Sequence, residues 1–510
     1  MHPAIHAVRQ PTKPAIVMAA TGTTMTFAEL EAASNAAAWH LRALGMRRGD
    51  VIATVFDNAA EVFVTGWATQ RSGLYQTSIS NKLGAADIAY ILRDSGARLL
   101  IVSAAFADLA HVALAELPDL PGFRWTGADD RLADWSQAMQ AQPKTRIADE
   151  SPGTDLLYSS GTTGRPKGVM PVLPDGALEA ATPLTRMGTA LYGMGPDSMY
   201  LSTSPLYHAA PLRWAMAVQQ LGGTVVVMER FDAEETLRLI ERHRITHATF
   251  VPTHFVRMLK LPQEVRRRYD VSSLRAVIHA AAPCPIPVKH AMIDWFGPIV
   301  HEYYSGTESC GITALSSSEW LLKPGSVGKA VLGVVHIVDD EGRELPAGET
   351  GHVYFGDGPA FRYLNDPART AQAHDRRGWA TLGDIGRLDP DGYLFLTDRK
   401  SFMIISGGVN IYPQEIENVL IAHPAVADVA VIGLPDEDMG EIVVAVVQPA
   451  ESVIAPDLAA TLTAFVRAQL GGVKTPRRID FASALPREPT GKLMKRTLRD
   501  AYLATGSARP

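Results

Sequence analysis

Cysteine is almost missing from this chain: its 510 residues include only Cys284 and Cys310. Two thiols build neither a disulfide framework nor a cysteine-based zinc site, so a reducing, cytoplasmic setting is expected. A surplus of positive charge is also lacking. Forty-eight Lys and Arg stand against 54 Asp and Glu, a net charge of −6. No overall field draws the chain to nucleic acid or to an anionic membrane, so any phosphate must be held locally. Long apolar runs are absent too. The most apolar stretch, 99–117, is interrupted by Asp108, His111 and Glu116, and residues 1–10 have no apolar core of the signal-peptide kind. A soluble protein without a transmembrane segment is expected. What remains, 46% hydrophobic and 20% charged residues, is a globular composition that excludes disordered and fibrous classes. The length suits roughly two to four domains, and no internal repeat or low-complexity segment is visible.

Thr26 and Glu29 read as a capping box opening an Ala-rich helix that Gly45 closes, and 51–56 follows as a short buried strand. Alternation continues through a helix at 61–73, then 88–94, 98–102, 224–228, 233–243 and 247–251, which predicts α/β layers with mostly parallel sheets. From about 326 the texture changes to short β-like runs between Gly and Asp turns, at 334–338, 352–355 and 393–396. The last stretch, from about 402, reads as a separate α+β unit with helices at 414–422 and 458–470 and strands at 427–433 and 442–448.

The most informative segment is 158–168, Tyr-Ser-Ser-Gly-Thr-Thr-Gly-Arg-Pro-Lys-Gly, which follows a short apolar strand. Glycines let backbone N–H groups turn toward an anion, hydroxyls add donors, and the Lys167 ammonium neutralises charge. It is not a Walker A loop, because Pro166 stands where that pattern needs its second Gly. Further motifs follow in order: Tyr-Ser-Gly-Thr-Glu at 304–308, Gly383-Asp384, Asp398-Arg399, Ser-Gly-Gly-Val-Asn at 406–410 and Pro-Thr-Gly-Lys at 489–492. In content, order and approximate spacing the set resembles the adenylate-forming superfamily of acyl-CoA synthetases, aryl-CoA ligases, peptide-synthetase adenylation domains and luciferases. The resemblance covers nearly the whole chain.

That resemblance implies an N-terminal adenylation domain over 1–398, whose part from about 326 to 398 is the β-rich subdomain, and a mobile lid domain over 399–510 with its hinge near Ser401. It implies ATP, Mg²⁺ and coenzyme A as co-substrates and metal, and a small carboxylic acid as substrate, with no nucleic acid partner and with a homodimer left open. Ser159, Ser160, Gly161, Thr162, Thr163, Gly164 and Lys167 map onto the loop that holds the β- and γ-phosphates. Tyr304 maps onto the adenine-stacking aromatic, Thr307 onto the α-phosphate hydroxyl, and Glu308 onto the Mg²⁺ ligand, a hard oxygen of the kind that metal takes. Ala280, Ala281 and Ala282 match the segment lining adenine and the acyl group, with Ala280-Ala281 where Gly-Gly is common. Asp384 corresponds to the ribose-binding acid, although its flank reads Thr-Leu-Gly-Asp, and Arg399 to the base beside it.

Lys492 corresponds to the lysine that bridges the acid's carboxylate and the α-phosphate during adenylation. Gly407 and Gly408 correspond to the loop past which the pantetheine arm runs, and Ser401 stands where the family's hinge commonly carries Lys or Asp. Tyr207 and His208, in Pro-Leu-Tyr-His-Ala-Ala-Pro-Leu at 205–212, border the acyl pocket, with His208 as its gate. No acid occurs over 204–214 to pair a substrate ammonium. The small side chains of Ala209, Ala210, Ala280 and Ala281 leave room for a medium or long-chain fatty acid or a bulky aryl or steroid-like acid. The expected reaction is ATP-dependent acid:CoA ligation through an acyl-adenylate. Two alternatives stand beside it: loading of a separate carrier protein, which the lack of an attached carrier after Lys492 leaves open, and a non-catalytic acyl- or nucleotide-binding protein.

Overall fold

The computed structural model describes residues 1–159, 166–399, 402–450, 455–487 and 493–504. The capping box forms: Thr26 Oγ1 accepts from the Glu29 N–H at 3.2 Å and Glu29 Oε2 accepts from the Thr26 N–H at 2.8 Å. Two orphan donors at the start of helix Phe27–Ala43 are thereby satisfied. The helix buries Phe27, Leu30, Ala37 and Leu41, and Gly45 at φ 79° turns the chain out of it.

Two large sheets form the bulk of the molecule. One has nine strands, of which six neighbours are parallel: Val300–Tyr304, Ala276–His279, His247–Phe250, Met199–Ser202, Thr224–Val227 and Pro14–Met18. The other is parallel throughout its six strands, with Val51–Val55 between Ala97–Val102 and Tyr75–Ser78. Helices including Phe27–Ala43, Ala60–Arg71 and Ala209–Gln220 pack between them. The shared core holds Phe27, Phe63, Trp67, Trp135, Tyr200 and Trp214. Strands buried on both faces explain the continuous Val and Ile runs seen at 51–56 and 224–228.

Residues 334–399 hold a four-stranded antiparallel sheet, ordered Val334–Val338, Gly351–Gly356, Ala380–Leu388, Leu394–Arg399. Beyond it, Ile404–Ser406, Val409–Ile411, Val426–Asp436, Gly440–Pro449 and Arg478–Phe481 make a five-stranded sheet covered by helices Pro413–Leu420 and Leu458–Leu470. The mixed α/β class expected from the alternation is the one found. Among the described residues no helix is long and apolar enough to cross a membrane.

Candidate active site

A cavity of about 1370 Å³ opens where the parallel strands of the nine-stranded sheet end. Carboxyl ends of strands in open α/β sheets are where ligands bind, because helix N-termini and loops converge there. Strand Ala276–His279 runs into Ala280, Ala281 and Ala282, and strand Val300–Tyr304 into Ser305, Gly306, Thr307 and Glu308. All seven of those following residues line the cavity.

The phosphate-loop candidate is held by a hairpin. Strands Leu157–Ser159 and Lys167–Pro171 pair antiparallel with Ser159 opposite Lys167, and both residues line the cavity. Ser160, Gly161, Thr162, Thr163 and Gly164 lie outside the described residues. The hairpin is tied at both sides. Tyr158 donates its hydroxyl to Asp94 Oδ2 at 2.6 Å, and the short strand Phe361–Tyr363 pairs with Lys167–Pro171. The Lys167 ammonium sits 5.3 Å from the centre of the Tyr363 ring.

Tyr363 in turn donates to Glu308 Oε1 at 2.8 Å. Burial first, and the Glu308 charge second, push the Tyr363 hydroxyl well above its ordinary range, so it stays a donor. Glu308 keeps its second oxygen for another partner. Among the described residues no cluster of three or more His, Cys, Asp or Glu side chains could cage a metal. One carboxylate beside a phosphate site nevertheless suits Mg²⁺, which retains water and takes few protein ligands.

Tyr304 and Asp384 come together, the Tyr304 hydroxyl donating to Asp384 Oδ2 at 2.5 Å. They pair alongside the cavity, whose wall at this point is formed by Tyr303, Ser305, Leu382 and Gly383. Asp384 is 6% exposed. Its backbone stands opposite Arg399 in the antiparallel ladder, which brings the two expected ribose-binding positions together; the Arg399 side chain is not among those described. Tyr207 and His208 both line the cavity, their rings 4.5 Å apart, and His208 is the N-cap residue of helix Ala209–Gln220.

Gly407 and Gly408 form the turn between Ile404–Ser406 and Val409–Ile411 at φ 57° and 80°. Both φ values lie in the left-handed region, which favours glycine at this turn. Neither glycine lines the cavity, whereas Arg487 and Met494 from the C-terminal part do. Ser401 and Lys492 lie outside the described residues. Trp214 is a core residue that also lines the cavity, whereas Trp295 packs on Phe296 and Arg266.

Two elements of the site carry no signature in the sequence. Arg213 donates from Nε to Asp155 Oδ2 at 2.8 Å and from Nη1 to Ser309 Oγ at 2.7 Å, and its Nη1 also reaches the Thr307 carbonyl at 3.3 Å. It thus fastens the base of the phosphate hairpin to the Thr307–Glu308 turn. Beneath the adenine segment, Lys289 pairs with Glu302, and His279 Nε2 lies 3.5 Å from the same carboxylate. All three are buried. Burial pushes Glu302 up, and burial together with Lys289 holds His279 neutral.

Comparison with known proteins places the chain in a family. The family model described as AMP-binding enzyme matches residues 4–361, and that of the AMP-binding enzyme C-terminal domain matches 415–492. The long-chain-fatty-acid–CoA ligase FadD13 of Mycobacterium tuberculosis is 34% identical, covering 98% of this chain and 97% of its own. The fatty acid–[acyl-carrier-protein] ligase ScoC of Streptomyces coeruleorubidus is 33% identical over 98% and 95%. Among solved structures, ATP-bound MatB from Rhodopseudomonas palustris superposes with a TM-score of 0.84 at 27% identity, covering 98% of this chain and 99% of that one.

Proposed function

This chain belongs to the AMP-binding enzyme family and is an enzyme of its acyl-CoA synthetase type, and from that premise we propose that it converts an apolar carboxylic acid, ATP and coenzyme A into acyl-CoA, AMP and pyrophosphate. The observation that carries the substrate side is the cavity itself. Its described lining contains two acids, Asp155 and Glu308. Asp155 is paired with Arg213 and Glu308 sits at the phosphate end beside Tyr363 and Lys167. No carboxylate is left in the acyl lobe for a substrate ammonium, which disfavours amino acids and suits a plain acid. Trp214, Met216 and Leu184 supply apolar wall for a medium or long acyl chain or a ring-bearing body.

In the first half-reaction the acid's carboxylate oxygen attacks the α-phosphorus and pyrophosphate leaves. The obstacle is repulsion between anions, so the protein's work is to position and to neutralise. In this reading the departing phosphates are held by Lys167 and Ser159 with the intervening residues, Thr307 offers a hydroxyl to the α-phosphate, and Asp384 with Tyr304 takes the ribose and adenine end. Lys492 supplies the cation that bridges carboxylate and α-phosphate. Mg²⁺ held through Glu308 and the phosphates themselves would screen the developing charge. In the second half-reaction the CoA thiolate attacks the acyl carbon and AMP leaves, with Gly407 and Gly408 beside the pantetheine arm after the C-terminal part has turned at Ser401.

The test is AMP release from ATP by the purified protein with Mg²⁺ and a panel of fatty, aryl-alkanoic, cinnamic, bile-type and amino acids, with and without CoA. CoA-dependent AMP formation with one chemical class supports the proposal. ScoC, at 33% identity, favours one second reading, transfer to a carrier's phosphopantetheine. Acid-dependent pyrophosphate exchange without any CoA product would select it.

A further inference from the structure

Helix Ala209–Gln220 forms one long wall of the cavity. Its whole first turn lines the cavity, and further along Arg213, Trp214, Met216, Ala217 and Gln220 do so as well. His208, the expected gate for the carboxylate, caps the start of the helix, and Gln220 is its last residue. At 1.5 Å per residue the two ends stand about 17 Å apart. Toward Gln220 the helix contributes Trp214, Met216 and Ala217 to the lining, and Trp67, Leu184 and Tyr303 from other elements line the same cavity.

Gln220 differs from them in carrying an amide. It is 6% exposed, it lines the cavity, and its side-chain amide bonds to none of the described residues. Its backbone carbonyl alone is engaged, accepting from His6 Nε2 at 2.8 Å. Neighbouring buried glutamines show what a structural role looks like here. Gln219 Oε1 accepts from the Trp67 indole at 2.7 Å, and Gln76 Nε2 donates to Ser78 Oγ at 3.2 Å. On the facing helix Ala60–Arg71, Gln70 also lines the cavity with its amide unengaged by the described residues. A carboxamide offers two donors and two acceptor sites, which a polar group entering the cavity can engage.

We propose that Gln220 is a specificity-determining residue that pairs with a hydrogen-bonding group at the far end of the acid, with Gln70 assisting. The preferred substrates are then chain acids long enough to span the helix that carry a distal hydroxyl or carbonyl. This deepens the acid-activating function above and rests on it. A hydrocarbon terminus reaching Gln220 displaces water from the amide and gives nothing back, whereas a hydroxyl there replaces the lost bonds. A site built to pair a substrate hydroxyl discriminates strongly against the analogue without it, far more than an apolar pocket discriminates against an added one.

The experiment measures kcat/KM for AMP formation with a matched pair of acids, dodecanoic against ω-hydroxydodecanoic. Octanoic acid, too short to reach Gln220, is the control. The wild-type enzyme should favour the hydroxylated member of the pair by about tenfold or more. Gln220→Leu should abolish or invert that preference and leave octanoate turnover within about twofold. Gln220→Met, close to glutamine in shape, serves in its place should the leucine variant fail to fold. Equal ratios in wild type and variant, or a wild-type preference for the hydrocarbon member, overturn the proposal while octanoate turnover keeps the acid-activating function standing. Absence of turnover with every acid overturns both.

Discussion

Ala281 has a backbone φ of +74° on the cavity wall, a left-handed conformation that a Cβ makes unfavourable. The sequence pattern had already marked this position as one where glycine is common, and the structure supplies the reason. Strain at a residue fixed between strand Ala276–His279 and the cavity is retained because the surrounding fold over-determines it. Glycine elsewhere destabilises by widening the unfolded ensemble, but here the released strain of about 1–2 kcal/mol exceeds that loss of about 0.4–1 kcal/mol. Ala281→Gly should therefore raise the thermal midpoint, by a degree or a few for a chain of this length. A lower midpoint in differential scanning calorimetry would show that the methyl group is a packing asset instead.

At the scale of elements, the Lys289–Glu302 pair joins helix Ile286–Phe296 to strand Val300–Tyr304. His279, at the end of the neighbouring strand, touches the same carboxylate. The strands ending at His279 and Tyr304 deliver Ala280–Ala282 and Thr307–Glu308 to the cavity, so this buried cluster lies beneath both segments. Removing one partner leaves a buried charge uncompensated, which costs about 3–5 kcal/mol, while removing both costs much less than the sum. Urea denaturation of Lys289→Met, Glu302→Leu and the double variant should give strongly non-additive losses. Additive losses would mean that the two side chains act only through packing.

This pair shows where the sequence stops being readable. Capping at Thr26 and Glu29, the alternation through residues 51–251, and the ordered motifs at 158–168, 304–308 and 383–384 depend on local chemistry, so they can be seen along the chain. Lys289 with Glu302, or Arg213 with Asp155, depends on which strands become neighbours. So does the pairing of Phe361–Tyr363 with Lys167–Pro171, which brings Tyr363 to Glu308. Helix Ala209–Gln220 is apolar on most of its surface, so its periodicity did not single out the face carrying Arg213 and Gln220.

For the molecule as a whole, acid should act through buried histidines before it reaches the carboxylates. Burial pushes His254 down to about 3 and His301 to about 4, and His2 and His279 well below the ordinary value of 6.5. In the unfolded chain these rings bind protons as the pH falls through about 6.5, while in the folded protein they stay neutral to about 4 or lower. The unfolded state thus holds more protons throughout that window, and stability falls with falling pH and recovers above it. His254, stacked on Phe231 at 3.8 Å between ring centres, offers the cleanest probe. His254→Phe should flatten the fall in urea midpoint between about pH 6.5 and 4 by close to one proton's worth of slope. An unchanged slope would place the acid sensitivity elsewhere.

Two successive reactions at one cavity pose the remaining question at this scale, namely which part of the chain serves which step. Arg487 and Met494, flanking Lys492 in sequence, line the cavity together with Ser159, Thr307 and Gly383. Gly407 and Gly408 stand away from it in the present arrangement. That asymmetry suits the adenylating step: described residues on either side of Lys492 in sequence line the cavity, and the glycine turn expected to pass pantetheine does not. The two steps should then be separable by mutation. Lys492→Ala should slow acid-dependent pyrophosphate exchange by about 100-fold or more, the scale of one lost electrostatic stabiliser. Thioester formation from a supplied acyl-adenylate and CoA should stay within a few-fold of wild type. Gly408→Val, at φ 80° in the glycine turn, should do the reverse, sparing exchange and slowing transfer to CoA. Should both variants lose both half-reactions equally, one arrangement of the chain would have to serve both steps, and the division of labour between Lys492 and the glycine turn would fall.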